Sequence, residues 1–475
     1  MSNLTKYAGM GALAASALAC MPAWAQEAAG PVLNPSVEQM ATMVDKGDTT
    51  WMLVSSALVL MMSIPALALF YGGLVRTKNM LSLLMQVFMI VSIAAIMWVA
   101  VGYSLAFTGG SPYIGGLSKA FLSGVTTGTY AATFSNNVYI PEYAFVIFQM
   151  TFACITPALI VGAFAERIKF WPLMVFVVGW LLLAYYPIAH MVWFWAGPDF
   201  LSVPDFANDK GLMWGWGALD FAGGTVVHIN AGVAGLVGCL IVGKRIGFNK
   251  EPMPPHSLTL TMVGAALLWV GWFGFNAGSN LESNGLTALA FLNTFIATAA
   301  ATLSWSIVEQ LSHGRPSVLG AVTGAVAGLV AITPASGFAS PMGALMLGLL
   351  VSPICYVFVS RVKKAFGYDD SLDVFGVHGV GGIVGAIGTG IVADPALGGQ
   401  GWLDYTVFPA VAGAYDMGAQ VWIQVQAVGV TVIWTAVVSA VLFYAIKAVF
   451  GLRPSADDER QGLDQTSHGE SAYNM

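Results

Sequence analysis

Residues 220–230 read DFAGGTVVHIN, and the apolar run that contains them continues as AGVAGLVGCLIVG to Lys244. The segment places an acid and an imidazole in a stretch long enough to cross a lipid bilayer. Ionisable side chains are costly in hydrocarbon, so within a membrane-spanning segment they commonly mark a functional site. Asp220 and His228 are therefore the first candidate functional residues.

The composition of the chain predicts an integral membrane protein. Only 9% of its 475 residues are charged, 57% are hydrophobic and the mean hydropathy is +0.75, whereas soluble domains carry about 25% charged residues. The net charge of -6 falls in loops and tails, which argues against a nucleic-acid partner. The 4 cysteines form no CxxC pair, so a disulfide framework has little support.

Eleven apolar runs are long enough to cross a bilayer as α-helices, which takes about 20 residues. We therefore predict an all-α integral membrane fold with eleven transmembrane helices. The last run is longer than most and can tilt or extend beyond the membrane. The predicted spans cover residues 50–74, 80–108, 142–165, 169–190, 219–243, 258–278, 285–309, 317–334, 340–361, 373–394 and 418–450.

The N-terminus has the features of a secretory signal peptide. Lys6 precedes a short apolar stretch, and residues 23–25 read AWA, which fits a small-x-small cleavage site. We predict that residues 1–25 are removed, which leaves the mature N-terminus outside the cytoplasm. Lipidation at Cys20 is an alternative that the neighbouring residues support less well.

The positive charges predict the orientation independently, because Lys and Arg are enriched in cytoplasmic loops. An odd number of spans with the N-terminus outside puts the C-terminus in the cytoplasm. Fourteen of the 18 Lys and Arg residues then lie on the inner side. On the outer side, the mature chain keeps only Lys46, Lys119 and Lys210.

Two histidines lie in matching segments. His228 in predicted span 5 and His378 in predicted span 10 each begin the pattern H-x2-[AG]-G-x2-G-x2-G. Each also follows an acid and a glycine, with Asp220 ahead of the first and Asp373 ahead of the second. Because five spans separate the copies, the two halves have opposite orientations. This pattern predicts an inverted 5+5 repeat plus a long final helix, with the ligand site near the midplane between the repeats.

The small residues after each histidine allow helix backbones to approach closely in lipid. We therefore predict that spans 5 and 10 cross closely and bring His228 and His378 together at the centre. Asp220 would lie near the outer mouth and Asp373 near the inner mouth. Asp220 could also cap the outer end of span 5. Its charge favours cations, and we assign it a supporting role rather than direct ligation.

A pair of membrane-embedded histidines suits a small protonatable substrate. Imidazole donates at one nitrogen, accepts at the other and titrates near neutrality, and two rings in contact titrate as a unit. A single such histidine is as often a core residue that bonds a neighbouring carbonyl. A bis-histidine haem is a further alternative, but close backbones leave little room for a macrocycle, and a zinc site needs more ligands. We expect neither a metal nor a cofactor.

Aromatic side chains and one hydroxyl lie towards the predicted outer ends of three spans. Phe148 and Phe152 are four residues apart and share a helix face. Phe275 and Ser279 are likewise four apart, and Trp193 lies at the outer end of span 4. Individually, such residues usually serve packing or the interfacial belt. Together they can hold a small cation by cation–π attraction and hydrogen bonding.

Several long motifs of the chain can be compared with known families. They are DFAGGTVVHIN, GWFGFNAGS, FGVHG, FQMTFACIT, IVGAFAER, PIAHMVW and, in the tail, GLD and SHGE followed by AY. These motifs resemble the ammonium transporter family, Amt/Mep/Rh. The likeness covers nearly the whole mature chain from FYGGLVR at residues 70–76 and is closest to bacterial AmtB-type proteins. The segment 193–220 is longer than in many relatives.

The resemblance implies a role for each candidate residue. Ammonium would be recruited at an outer aromatic site, deprotonated, and conducted past an aromatic gate along a twin-histidine pore, with Asp220 supporting recruitment. The recruitment site would consist of Phe148, Phe152, Trp193 and Ser279, the gate of Phe152 and Phe275, and the pore pair of His228 and His378.

The resemblance also implies an organisation and partners. Residues 1–25 would be the signal peptide, 26–450 the membrane domain and 451–475 an ordered cytoplasmic regulatory tail, although the composition of the tail alone is typical of disorder. The family implies a homotrimer in the bacterial inner membrane, without enzymatic activity, and a PII-type regulatory protein at the cytoplasmic face. An ammonium sensor with transport secondary is the alternative function.

Overall fold

The computed structural model describes residues 31–473, so the predicted signal peptide and Cys20 lie outside the described residues. Within residues 31–473, eleven helices are long and apolar enough to cross a membrane, which confirms the predicted all-α fold. They are α1 (Lys46–Leu74), α2 (Thr77–Phe107), α3 (Glu142–Phe164), α4 (Phe170–Trp193), α5 (Gly224–Val242), α6 (Leu258–Gly278), α7 (Gly285–His313), α8 (Val318–Ala335), α9 (Pro341–Phe366), α10 (Phe375–Val392) and α11 (Met417–Phe450).

The connections between the helices form two faces. The face that carries residues 108–141 and 194–223 is called the loop face, and the opposite face, which carries residues 243–257 and the tail 451–473, is called the tail face. Short antiparallel strands pair within the loop face as β1 with β2, β3 with β4, and β5 with β6. They are β1 (Gly110–Ser111), β2 (Ile114–Gly115), β3 (Tyr130–Ala132), β4 (Tyr139–Pro141), β5 (Leu403–Asp404) and β6 (Val411–Ala412).

The start of α5 differs from the prediction. The apolar run predicts a helix from residue 219, but α5 begins at Gly224. Gly223 has a φ of +113°, a left-handed conformation that side chains disfavour, and it separates the preceding segment from the helix. Asp220 therefore lies ahead of α5 and not within it. Hydrophobicity alone does not distinguish an apolar connection from an apolar helix.

The two short helices that carry the histidines cross at the centre, as the small residues predict. A Cβ atom added to Gly232 of α5 would collide with the backbone of Gly379 in α10. A Cβ added to Gly382 would lie 3.1 Å from the Cβ of His228. The first contact excludes any larger residue and the second is tight, so the two helices approach closely enough for their side chains to meet.

The tail after α11 is packed against the tail face. Glu459, which forms an ion pair with Arg453, accepts a hydrogen bond of 2.8 Å from the backbone N–H of Ile246. Asp464 accepts one of 2.7 Å from the backbone N–H of Ser82. Two short helical segments, Ala456–Gln461 and Asp464–His468, carry these acids. The tail is therefore ordered, although its composition resembles that of a disordered segment.

Candidate functional site

A wide cavity opens on the loop face. Its volume is about 1300 Å³, and it is lined by the segments around β3, the long connection 194–223, the end of α6 and the start of α11. Charged residues in the lining are mostly acidic, which attracts small cations to the cavity and concentrates them there. The acids are Glu142, Asp209, Asp220, Glu282, Asp404 and Asp416, and the basic residues are Lys119 and Lys210.

Three residues of the predicted aromatic site, Phe152, Trp193 and Ser279, line the floor of this cavity. The ring of Phe152 meets Phe148 edge-on, with centroids 5.0 Å apart, and meets Trp193 edge-on at 5.7 Å. On its other side, Phe152 stacks on Phe275 with centroids 4.3 Å apart and an interplanar angle of 30°. The three phenylalanine rings are at most 1% exposed. The stacked pair Phe152–Phe275 therefore closes the path beneath the cavity.

Ser279 lies at the same floor, at the end of α6. Its hydroxyl donates to the carbonyl of Phe275 over 2.8 Å, so the oxygen is left to accept from a ligand. The structure thus brings together the five predicted recruitment and gate residues, with an acceptor beside π faces. Such a site can hold a cation that carries N–H groups.

Asp220 caps the first turn of α5 from three residues before its N-cap. Its carboxylate accepts from the backbone N–H of Gly223 at 2.8 Å, Gly224 at 2.6 Å and Thr225 at 2.8 Å, and also from the Thr225 hydroxyl. Its backbone carbonyl accepts from Nε1 of Trp193 at 2.9 Å. The side chain therefore stabilises the helix start and the position of Trp193, as a supporting residue would.

His228 and His378 form a direct pair. Their Nδ1 atoms are 3.2 Å apart, so one nitrogen donates and the other accepts. The rings are nearly parallel, with an interplanar angle of 26°, and both are buried. The direct contact of the two rings leaves no space between them for the macrocycle of a bis-histidine haem. Nε2 of His228 has no hydrogen-bond partner within the part of the chain that the structure describes.

The histidines border a second, narrow cavity below the aromatic stack. Its volume is about 10 Å³, close to the space that one water molecule occupies. Each histidine lies in a π-helical turn, Gly224–Ile229 or Phe375–Gly379, a widened geometry that is frequent at functional sites. Apart from the histidines and the indole of Trp272, the lining is apolar: Met62, Leu67, Phe70, Ile155, Leu159, Val227, Leu268, Phe275 and Val326.

The acid that matches Asp220 in the second repeat is Asp370, so the pairing of Asp220 with Asp373 is wrong. Asp370 accepts from the backbone N–H of Val374 at 3.1 Å and of Phe375 at 2.8 Å, at the start of α10. Asp373 instead forms an ion pair with Lys363. Burial and the neighbouring Asp373 carboxylate raise the pKa of Asp370 above its ordinary value. Asp220 and Asp370 each precede their histidine by eight residues, a spacing that was available in the sequence.

Sequence reasoning also missed a glutamine clamp from α11. The side chain of Gln424 accepts from the backbone N–H of Leu219 and donates to its carbonyl, both over 2.7 Å. It also donates to the carbonyl of Ala386 in α10 over 2.8 Å. The clamp holds the segment ahead of Asp220 against the second repeat. A polar residue in an apolar span was the signal that could have identified it.

Comparisons with known proteins agree with one family. The model of the Ammonium Transporter Family matches residues 50–473. An ammonium transporter of Aquifex aeolicus is 45% identical over 432 residues, which cover 91% of this chain and 94% of that protein. The crystal structure of Saccharomyces cerevisiae Mep2 is similar with a TM-score of 0.76 and 32% identity, covering 88% of this chain and 89% of that one. A solved structure named Sensor Amt Protein has a TM-score of 0.78 at 26% identity, covering 91% and 99%.

Proposed function

Because the chain belongs to the ammonium transporter family, we propose that it moves ammonium through the loop-face aromatic site, past the Phe152–Phe275 stack and along the His228–His378 pair. It is a multi-pass membrane transporter and not an enzyme. The observation that carries the proposal is a spatial order of three features from the loop face inward. An acidic cavity comes first, the closed stack of Phe152 and Phe275 follows, and a water-sized cavity bordered by two hydrogen-bonded imidazoles lies beneath.

Recruitment takes place at the cavity floor. Ammonium enters from an acidic cavity and loses water, and the rings of Trp193 and Phe152, which line the cavity, offset that loss by cation–π attraction. The Ser279 oxygen accepts a hydrogen bond from one N–H group of the ammonium ion, and this bond replaces one hydrogen bond to water. Asp220 contributes its negative field and holds the Trp193 indole through its own carbonyl.

Selectivity arises at the Phe152–Phe275 stack. The rings leave no open passage, and the cavity beyond them is narrow and largely apolar, which makes the transfer of a bare cation costly. Ammonium can release a proton and enter as ammonia, whereas potassium has no proton to release. His228 and His378 then donate hydrogen bonds to ammonia or accept hydrogen bonds from it. The same pair relays the released proton.

The loop face is proposed to face the periplasm of a bacterial inner membrane. The position of the N-terminal segment supports this orientation. Val32 and Asn137 exchange hydrogen bonds on the loop face, and the predicted removal of a signal peptide places the mature N-terminus outside the cytoplasm. The tail lies on the opposite, more basic face, and this supports a cytoplasmic location for the tail because Lys and Arg are enriched in cytoplasmic loops. The family resemblance extends the proposal to a homotrimer and to a PII-type regulatory protein that binds the tail face.

Replacing Ser279 by alanine tests recruitment. The variant loses the acceptor for an ammonium N–H group, so we expect the half-saturating ammonium concentration to rise about tenfold, with a smaller change in maximal rate. The measurement is the uptake of isotope-labelled ammonium into proteoliposomes over a range of concentrations. Ser306→Ala is the control, because Ser306 also donates to the carbonyl four residues earlier but lies in α7, outside the path. Equal concentration dependence in both variants would refute the recruitment role.

Deleting residues 453–475 tests the regulatory tail. The deletion removes the Arg453–Glu459 ion pair and the Asp464 contact with α2, and we expect severalfold slower transport together with loss of PII-type protein binding. Glu459→Gln should reproduce part of the effect. Asp457→Asn should not, because that side chain is 96% exposed in the same short helix. Unchanged uptake and unchanged binding of the PII-type protein after the deletion would refute the regulatory role of the tail.

Ammonium sensing is the second candidate function, and the likeness to the protein named Sensor Amt Protein favours it. In this chain the described tail consists of two short helical segments docked on the tail face. Sustained uptake by the purified protein supports transport as the primary function. Saturable ammonium binding without uptake would instead support sensing.

A further inference from the structure

The turn that ends α8 contacts Trp272, whose indole ring packs against His228. Nε1 of Trp272 donates to the hydroxyl of Thr333 over 2.9 Å. The same indole ring stacks on His228, with centroids 5.3 Å apart and an interplanar angle of 24°. Trp272 is 2% exposed and Thr333 is fully buried. The Thr333 hydroxyl is therefore the hydrogen-bond acceptor that orients the indole against one face of the imidazole.

The Thr333 hydroxyl belongs to a buried polar network. After accepting from Trp272, it donates its one hydrogen to Leu329, whose carbonyl is 2.8 Å away, or to Oδ1 of Asn276 at 3.2 Å. The Asn276 amide in turn donates to Thr294 of α7 over 3.0 Å. Removing the hydroxyl would leave the buried indole N–H without an acceptor. The cost of that unpaired donor favours a rotation of the indole ring towards another acceptor.

The residue after Thr333 contacts the segment on the other side of His228. A Cβ atom added to Gly224 would lie 2.6 Å from the Cβ of Pro334. The Pro334 carbonyl accepts from the backbone N–H of Phe221 over 3.1 Å. The turn therefore holds both the start of α5, where His228 lies, and the ring that stacks on His228.

The His228 imidazole has few other restraints. Within the described residues, its one hydrogen bond is the one between its Nδ1 and that of His378. The ring also stacks on Trp272 and, at a centroid distance of 5.9 Å, on Phe275. A ring held by one hydrogen bond can tilt about it unless a neighbouring face prevents the motion.

We propose that Thr333 is a positioning residue for transport: its hydroxyl fixes the Trp272 indole, which holds His228 in the orientation that presents Nε2 to the pore cavity. The proposal rests on the proposed role of the histidine pair. It adds a determinant on α8, a helix that contributes neither histidine.

Thr333→Val removes the hydroxyl at nearly constant shape, and labelled ammonium uptake into proteoliposomes measures the result. Because a buried donor is left unpaired, we expect the maximal rate to fall about fivefold or more. The half-saturating concentration should stay within about twofold, since the recruitment residues are untouched. Thr333→Ser, which restores the hydroxyl, should recover most of the rate. Thr431→Val is the matched control, because Thr431 is as buried and, among the described residues, its hydroxyl bonds only the Ala427 carbonyl of its own helix.

Three outcomes would overturn the proposal: a wild-type rate in Thr333→Val, an equal loss in Thr431→Val, or no recovery in Thr333→Ser. His228→Ala, measured in parallel, separates this proposal from the proposed function. If His228→Ala is impaired and Thr333→Val is not, only the positioning role fails. If His228→Ala transports normally, the role of the histidine pair fails first.

Discussion

Replacing His228 and His378 together by leucine should abolish selective ammonium transport and leave the protein folded. The two Nδ1 atoms bond each other, so removing both residues at once leaves no buried partner unpaired there. The substrate loses its polar partners in an otherwise largely apolar cavity. Proton transfer by a positioned side chain contributes about 100-fold or more, and we expect a loss of that order in labelled ammonium uptake by proteoliposomes.

Folding of the double variant is checked by its yield and melting temperature in detergent, which should stay close to those of the wild type. His313→Leu is the control for a histidine-to-leucine change, because His313 bonds Tyr356 at the tail-face end of α7, outside the pore. If the double variant carried ammonium at the wild-type rate and selectivity, the relay role of the pair would be rejected.

Replacing Asp220 by alanine should damage both folding and transport. The carboxylate accepts from the backbone N–H groups of Gly223, Gly224 and Thr225 and from the Thr225 hydroxyl, and these donors are buried. An unsatisfied buried donor costs about 1–3 kcal/mol, so the free energy of unfolding should fall by about 3 kcal/mol or more. The measurements are the melting temperature in detergent and labelled ammonium uptake per folded molecule.

Asp220→Asn separates the two contributions of this side chain. The amide oxygen can still accept from the helix start, while the charge is lost, so the variant should be more stable than Asp220→Ala but should recruit ammonium less well. Asp404→Ala is the control, because Asp404 lines the same cavity and bonds only Thr406 nearby. Normal transport by Asp220→Ala at normal expression would contradict the supporting role.

The histidine pair could be predicted from the sequence because its signal is local and repeated. The pattern after His228 recurs after His378, and the spacing of small residues states how closely two helices can approach. The structure places the two rings in contact, as that pattern predicts. Span number followed from hydrophobic length alone, since a helix that crosses a bilayer needs a minimum of apolar residues.

The supports of the pair could not be predicted in the same way. Thr333 and Gln424 are distant in sequence from the residues that they hold, and their hydrogen bonds depend on how separate helices pack. The start of α5 depends on the left-handed backbone of Gly223, which hydropathy does not report. The eight-residue spacing from acid to histidine identifies Asp370 in the sequence. Asp373 also precedes His378 and a glycine, and it fits the pattern when that spacing is ignored.

The most direct test of the account compares ammonium with potassium in proteoliposomes that contain the purified wild-type protein. Equal inward gradients of the two ions are imposed in turn, and uptake is followed with labelled ammonium and with rubidium as the tracer for potassium. Because ammonium must release a proton before it passes the Phe152–Phe275 stack, the account predicts ammonium uptake well above that of protein-free liposomes. It predicts rubidium uptake no greater than in protein-free liposomes. Rubidium uptake at a rate similar to that of ammonium would contradict transport by deprotonation.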